Sequence, residues 1–340
     1  MKIYQKSKVK LIMIISIVII AVFALFMTVY GEEIREFRLG HVCQVEHPYN
    51  YAAQHFADLV EERTDGRIKI IIYPARQLGG DRDLIENVQS GALDMAVAST
   101  CVFGGFTPLL DALQLPFLID SYNLLDQAVV TDEAKALLEG LEKINIKAFA
   151  IWDAGLRHLV FKKGLIKSLE DLRGALIRVS EAPLLMDIFK ALGSSPTPLP
   201  YGEIYTALQL GTIDGIEMDL SAIYLERHYE QAKYVTLTSH YPWPMVPIMN
   251  LELFNSLSEE DRHIIAEAAW ETISFNHQNI RELDEKYLGL LKEAGVNFGY
   301  IDDLTPFKEV TQVVYDTYTA KDSRIKDFVD AVLTIKAKNE

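Results

Sequence analysis

The sequence predicts an α/β protein of two lobes, with a ligand cleft between them and one long helix spanning both. Three observations carry this expectation. Phe37 to Ala98 and Asp171 to Met218 each read as a β-α-β-α-β unit. Within them, Gln89-Ser90-Gly91-Ala92-Leu93-Asp94 and Gln209-Leu210-Gly211-Thr212-Ile213-Asp214 match at helix end, glycine stop, apolar position and aspartate, about 120 residues apart. The echo falls at the same place in both units, as it does when two lobes share one topology and turn their strand ends toward a common cleft. Finally, Ile264, Ile265, Ala268, Ala269, Thr272, Phe275, Ile280, Leu283, Tyr287, Leu290 and Leu291 keep helical spacing from Ser258 to Gly295. One helix of roughly 37 residues is about 55 Å long. A lobe of 100 to 150 residues is only about 35 Å across, so such a helix runs over both lobes or is kinked.

The 340 residues suffice for two domains with their own cores. Met1 to Gly31 differs in kind from the rest. Lys2, Lys6, Lys8 and Lys10 precede an uncharged apolar run from Leu11 to Val29, the pattern of an export signal. At 19 residues the run is also nearly long enough to anchor in a bilayer. Either fate puts everything from Glu32 onward outside the cytoplasm. Without those four lysines the net charge falls from −15 to −19. So acidic a body argues against a nucleic-acid or anionic-membrane partner. Cys43 and Cys101 are the only cysteines, and pairing or two free thiols both remain open.

In chain order, Phe37 to Val42 reads as a strand, Pro48 to Arg63 as a helix stopped by Thr64-Asp65-Gly66, and Arg67 to Tyr73 as a strand. Asp81 to Ser90 is a helix closed by Gly91, and Leu93 to Ala98 a third strand. Thr107 to Leu118 is an apolar connection and Ser121 to Leu141 is helical. Ile146 to Trp152 is a strand leading through Asp153-Ala154-Gly155 to Arg157, the expected first crossing between lobes. In the second unit, Pro183 to Leu192 and Tyr201 to Leu210 are helices and Ile213 to Met218 returns as a strand. Lys233 to Thr238 is a strand, and His240 to Pro244 a stiff loop before another crossing. Ser258 caps the long helix, with Glu259, Glu260 and Asp261 in its first turn. A helix near Pro306 to Tyr318 and the tail are expected on the second lobe. The expected division is 32–154 plus 243–282 for the first lobe and 155–242 plus 283–340 for the second.

One residue breaks the apolar pattern. Ala175-Leu176-Ile177-Arg178-Val179 is a strand whose alternation puts Leu176 and Arg178 on one face, and Arg178 at its carboxyl end. Ligands in such sheets bind outside the carboxyl ends of the strands, where a guanidinium is a fork for a carboxylate. The alternative is an arginine that reaches off an edge strand into solvent.

The motifs around it are long and ordered: HPYNYAAQHFADLVEERTDGRIKIIIYPARQLGGDRDLIENVQSGALDMA from His47 to Ala96, DLRGALIRV from Asp171, and ALGSSPTPLPYGEIYTALQLGTIDGIE from Ala191 to Glu217. By these the chain resembles the substrate-binding proteins of TRAP (tripartite ATP-independent periplasmic) transporters, of the C4-dicarboxylate-binding type, over Phe37 to about Phe307. The resemblance implies a periplasmic-binding-protein-like fold whose lobes close on a small organic acid, delivery of that acid to the membrane subunits of a permease, and a monomer as the usual form. It carries the carboxylate-binding arginine onto Arg178 and a second site arginine, in Gly-x-Arg, onto Arg157; the other role open to Arg157 is an ion pair holding the hinge. Where many members read Asp-Gly-x-Glu-Asn, with the asparagine on the carboxylate, this chain has Met218 followed by Asp219. Met218 is then expected to line an apolar part of the ligand or to fill core. Ser99 and Val102 stand where sialic acid binders place a glutamate and an arginine, which argues against that sugar acid. Trp152, Asp153, Tyr201 and Trp243 complete the expected substrate-binding set, the two tryptophans as cleft lining or as core.

An enzyme on such a scaffold needs a nucleophile with its base, a metal cluster or a phosphate loop. The chain has no G-x-S-x-G, no P-loop and no H-E-x-x-H, and its histidines make no metal-ligand spacing. No cofactor is expected. A subunit that presents solute to a sensor kinase would use the same pocket and stays open beside transport.

Overall fold

The computed structural model of the protein describes residues 34–339 together with Met13, Ile15, Ser16 and Ile19. The export signal or anchor expected at Met1 to Gly31 lies outside the described residues as a segment. Among the described residues no helix is long and apolar enough to cross a membrane.

The first unit is β1 (Arg35–Gly40), α1 (Pro48–Arg63), β2 (Ile68–Tyr73), α2 (Asp81–Ser90) and β3 (Met95–Ser99). The strand β1 lies between β2 and β3, parallel to both. Pro48 starts α1 and the His47 side chain caps it. Its Ala52, Phe56 and Val60, at helical spacing, go into the core, where a large apolar side chain contributes about 1.5 to 3 kcal/mol. Two helices follow as expected, α3 (Tyr122–Ala128) and α4 (Asp132–Glu139), preceded by a 3-10 segment at Leu109–Gln114. The strand expected from Ile146 to Trp152 is two, β4 (Ile146–Ala148) and β5 (Trp152–Leu156).

The second unit holds β6 (His158–Phe161), β7 (Leu176–Val179), α5 (Pro183–Ala191), β8 (Ser195–Pro198), α6 (Ile204–Leu210), β9 (Gly215–Met218), α7 (Leu220–Leu225) and β10 (Tyr234–Thr236). Among the elements that sequence pattern missed is β8. It contains Pro196 and Pro198 and is tolerated because it is an edge strand, paired with β7 alone. The chain ends with β11 (Pro242–Asn250), α8 (Glu259–Glu293), β12 (Asn297–Gly299), α9 (Thr305–Thr319) and α10 (Ser323–Asn339). The strands form two mixed six-stranded sheets, β2-β1-β3-β11-β4 with β5 on β11, and β12-β10-β6-β9-β7-β8.

The internal echo has a structural meaning. Gly91 and Gly211 both take left-handed conformations that end α2 and α6. Each following aspartate then accepts a backbone N–H of the neighbouring strand: Asp94 from Arg38 at 2.8 Å and Asp214 from Leu176 at 2.9 Å.

The chain crosses between the sheets at Arg157, where β5 hands over to β6, two residues beyond the expected boundary. It returns between β10 and β11. The two crossings are bonded to each other, Arg157 N–H donating to Tyr241 O at 2.9 Å and His240 N–H to Arg157 O at 3.3 Å. From Pro242 the expected loop is already β11, whose register against β5 shifts between Pro242 and Pro244. Prolines, lacking the N–H, sit without loss at such a bulge. Gly155 has φ +127°, and a Cβ there would meet Asp219 Cβ at 3.3 Å, so the first crossing needs glycine.

The helix α8 is a third link. Its 35 residues form one unbroken helix, capped by Ser258, that packs on α1 and β5 in the first lobe and on α7 in the second. Of the C-terminal helices, the last departs from expectation. The helix α9 packs on α5, but α10 lies against α3 and α4, because its apolar stripe of Ile325, Phe328, Val329 and Val332 joins the larger core.

Candidate ligand-binding site

A cavity of about 440 Å³ lies between the lobes. Its walls come from the loops and helix starts that follow strand ends on both sides: Cys43, His47, Tyr49, Arg76 and Asp81 from the first lobe, and Arg178, Ser180, Glu181, Tyr201 and Asp219 from the second.

Arg178 enters it as alternation requires. Ile177 and Val179 point into the core and Arg178, 2% exposed, into the cavity. Its Nε and Nη2 donate to Leu199 O at 3.0 and 2.6 Å, which fixes the plane of the guanidinium from the end of β8. No carboxylate among the described residues is within ion-pair distance of it. Burial lowers its pKa to about 10, so it remains charged at neutral pH. A buried, oriented cation with spare donors facing an enclosed space is a receptor for an anion.

Arg157 also lines the cavity but its charge is already matched. Nε donates to Glu217 Oε2 at 2.6 Å, Nη1 to Asp219 Oδ2 at 2.9 Å and Nη2 to Glu217 O at 2.5 Å. One face stacks on Trp243, with the guanidinium carbon 3.8 Å from the ring centroid. Burial works against this charge, yet Glu217 and Asp219 outweigh it and raise the pKa. Burial likewise opposes ionisation of Asp219, but His47, Arg157 and the Ala222 amide bring its pKa down to about 2. The alternative of an ion pair at the hinge is thus present, on a residue that still faces the ligand space.

The remaining wall is polar and unevenly satisfied. Asp81 opens α2, and its Oδ1 accepts the Ser99 N–H at 3.2 Å. Burial raises its pKa to about 6, with Glu181 adding to the shift and the Ser99 amide and Arg178 opposing it. Tyr49 is buried, lines the cavity, and its hydroxyl has no partner among the described residues. Tyr201 lies under the Arg76 guanidinium, 5.3 Å from ring centroid to Cζ.

Of the expected set, Arg178, Arg157, Tyr201 and Trp243 therefore meet at one cavity, and four residues do not line it. Met218 is fully buried in the second core with Ile216 and Val160, since alternation along β9 sends it away from Glu217. Trp152 is core, packed on Phe56, with its indole N–H spent on Ala269 O at 2.9 Å. Asp153 is buried beside Asn276 of α8, and Ser99 stands behind Asp81. Cys43 and Cys101 are both buried and unpaired. Among the described residues no group of histidine, cysteine and acidic side chains is arranged to hold a metal ion.

Comparison with known proteins agrees with this geometry. Residues 39–322 match the model of the DctP family, bacterial extracellular solute-binding protein family 7. The chain belongs to this family. Two curated relatives of this family-7 protein are each 31% identical to it. The 2,3-diketo-L-gulonate-binding periplasmic protein YiaO of Escherichia coli aligns over 76% of this chain and 79% of its own length. The sialic acid-binding periplasmic protein SiaP of Vibrio cholerae aligns over 79% and 84%. Among solved structures, a TRAP periplasmic solute-binding protein from Anaerococcus prevotii with bound D-glucuronate superposes with a TM-score of 0.85 at 28% identity, covering 89% of this chain and 98% of that one. One from Desulfovibrio salexigens with bound orotic acid gives 0.84 at 28% identity, covering 89% and 99%. The two-lobed α/β architecture is thus that of TRAP solute-binding proteins.

The wall residues of this family-7 protein that escaped the sequence reading include Tyr49, Asp81 and Asp219. These three stand in the first turn or at the cap of a helix that follows a strand. The rule that ligands gather at strand ends, applied to every strand and not only to the one with an arginine, points to them.

Proposed function

We propose that the protein captures a small organic acid outside the cytoplasmic membrane and hands it to the membrane subunits of a TRAP permease. The observation that carries this reading is Arg178, a buried, oriented guanidinium without a carboxylate partner among the described residues, lining a cavity between two lobes. The acid's carboxylate docks there, and Tyr49, Asp81 and Glu181 take up hydroxyl groups further along the wall. That pattern of one cation and several hydrogen-bonding groups favours a sugar acid, the class named for relatives solved with galacturonate and glucuronate. A micromolar affinity corresponds to about −8 kcal/mol. Two charge-assisted hydrogen bonds at roughly 1.5 to 3 kcal/mol each supply part of it, and closure of the second lobe over the solute supplies the rest by removing water.

Mass spectrometry of solute co-purified with the protein, followed by calorimetry with D-galacturonate, D-glucuronate and orotate, tests the assignment. Binding of at least one at micromolar concentration is expected, together with loss of uptake of that acid on gene deletion. Retained uptake with loss only of gene induction would assign the protein to a sensor. Turnover of the bound acid would make it an enzyme.

A further inference from the structure

We infer that Asp219 is a specificity-determining residue that restricts the site to acids with a single carboxylate and excludes dicarboxylates. The inference deepens the proposed solute-binding function and rests on it. A dicarboxylate needs two cations free to receive it. Four guanidiniums touch the cavity, and three are already committed. Arg76 holds Glu226 through Nη1 at 3.0 Å and Nη2 at 3.3 Å and gives Nη1 to Val42 O as well. Arg82 has Nε 2.9 Å from Glu86 and more than half its side chain in solvent, where a charge is screened. Arg157 is bound by Glu217 and Asp219 and covered on one face by Trp243.

Glu217 alone balances the charge of Arg157. Asp219 is therefore a second carboxylate on one guanidinium, and the three groups together carry one net negative charge. Its other oxygen accepts the Ala222 N–H at 2.9 Å and lies 3.5 Å from His47 Nε2. Asp219 is so held with its charge on the cavity wall. A second carboxylate of a solute anchored on Arg178 would face Asp219, Asp81 and Glu181 with no buried, unpaired cation beside them among the described residues. Hydroxyl groups meet the same oxygens as hydrogen-bond acceptors. Discrimination then comes from repulsion of the wrong solute as much as from attraction of the right one.

Calorimetry of the full-length chain with two matched pairs tests this: D-galacturonate against the hexarate of the same skeleton, and D-glucuronate against its hexarate. The wild type is expected to bind a monoacid at least tenfold more tightly than its diacid. In Asp219→Asn, which keeps an oxygen for the Ala222 amide, and in Asp219→Ser, whose hydroxyl can also cap that helix, the ratio is expected to fall at least fivefold as one negative charge leaves the wall and Arg157 Nη1 loses its carboxylate. Thermal unfolding of both variants verifies folding. Equal or tighter binding of a diacid by the wild type overturns the inference and leaves the solute-binding reading standing; so does an unchanged ratio in a folded variant. Binding of none of the four acids overturns the sugar-acid reading and this inference with it.

Discussion

Two buried arginines face one cavity, and their partners decide what each can do. Among the described residues Arg178 is tethered only by the Leu199 carbonyl, whereas Arg157 is enclosed by two carboxylates and a tryptophan. Arg178→Ala is therefore expected to weaken acid binding by about 3 to 5 kcal/mol, because the solute's carboxylate is buried without a partner. Arg178→Lys should recover only part of this, since an ammonium lacks the planar fork. Near wild-type affinity of the alanine variant in calorimetry would remove the anchor role. A different test concerns Asp111, which is 1% exposed with an unpartnered Oδ1. Burial raises its pKa to about 7. Between the ordinary carboxylate range and pH 7 the folded protein then holds a proton that the unfolded chain has released, so this group's contribution to stability falls as pH rises from about 4 to 7. Asp111→Asn should be more stable than wild type at pH 8, by on the order of 4 kcal/mol, and little different at pH 4. Denaturation curves at the two pH values showing the same difference would reject this. At this scale the sequence singled out Arg178 by its strand and left two roles open to Arg157, because the discriminating feature is the set of carboxylates that folding brings to Arg157 from β9 and its end. The tryptophans show the same limit: composition does not say that Trp152 spends its N–H on α8 while Trp243 lies along a guanidinium.

Elements were legible where one residue's environment repeats along the chain. The bounds of α1 and α2 follow from proline, glycine and helical spacing, and α8 from the same spacing sustained over ten turns. What periodicity could not supply is partner choice. The edge strand β8 holds two prolines and is a strand only because β7 lies beside it, and α10 found the first lobe because α3 and α4 left an apolar surface there. The seat of α8 rests on one side chain in particular. Asn276 donates through Nδ2 to Asp153 O at 3.0 Å and accepts Asp153 N–H at 2.8 Å, pairing with β5 as a further strand would. Asn276→Ala leaves both buried backbone groups without partners, at about 1 to 3 kcal/mol each. Urea denaturation should show a loss on the order of 3 kcal/mol. A loss below about 0.5 kcal/mol, the range of ordinary surface changes, would mean that α8 is held to the first lobe by apolar packing alone.

For the molecule as a whole, the affinity for a solute depends on how the closed arrangement compares in free energy with an open one. The lobes are joined by the crossings at Arg157 and Tyr241 and by α8, and they also meet through polar contacts. Arg76 and Gln44 from the first lobe converge on Glu226, which follows α7 in the second, at 3.0 and 3.1 Å. Glu226 does not line the cavity, although its partner Arg76 does, so changing it acts on closure directly and on the solute only through Arg76. Its pair with Arg76 is partly exposed, 14% on the glutamate side and 27% on the arginine side, which limits its worth to about 1 kcal/mol. Glu226→Gln should therefore raise the dissociation constant roughly fivefold, the factor that about 1 kcal/mol represents. A pair that joins the two lobes holds them together over the solute, so the change should fall mainly on the dissociation rate. The difference between variant and wild type should shrink in high salt, where the pair is screened. Stopped-flow release kinetics at low and high ionic strength measure both effects. An unchanged release rate at low salt would show that the hinge and the solute close the lobes without this contact.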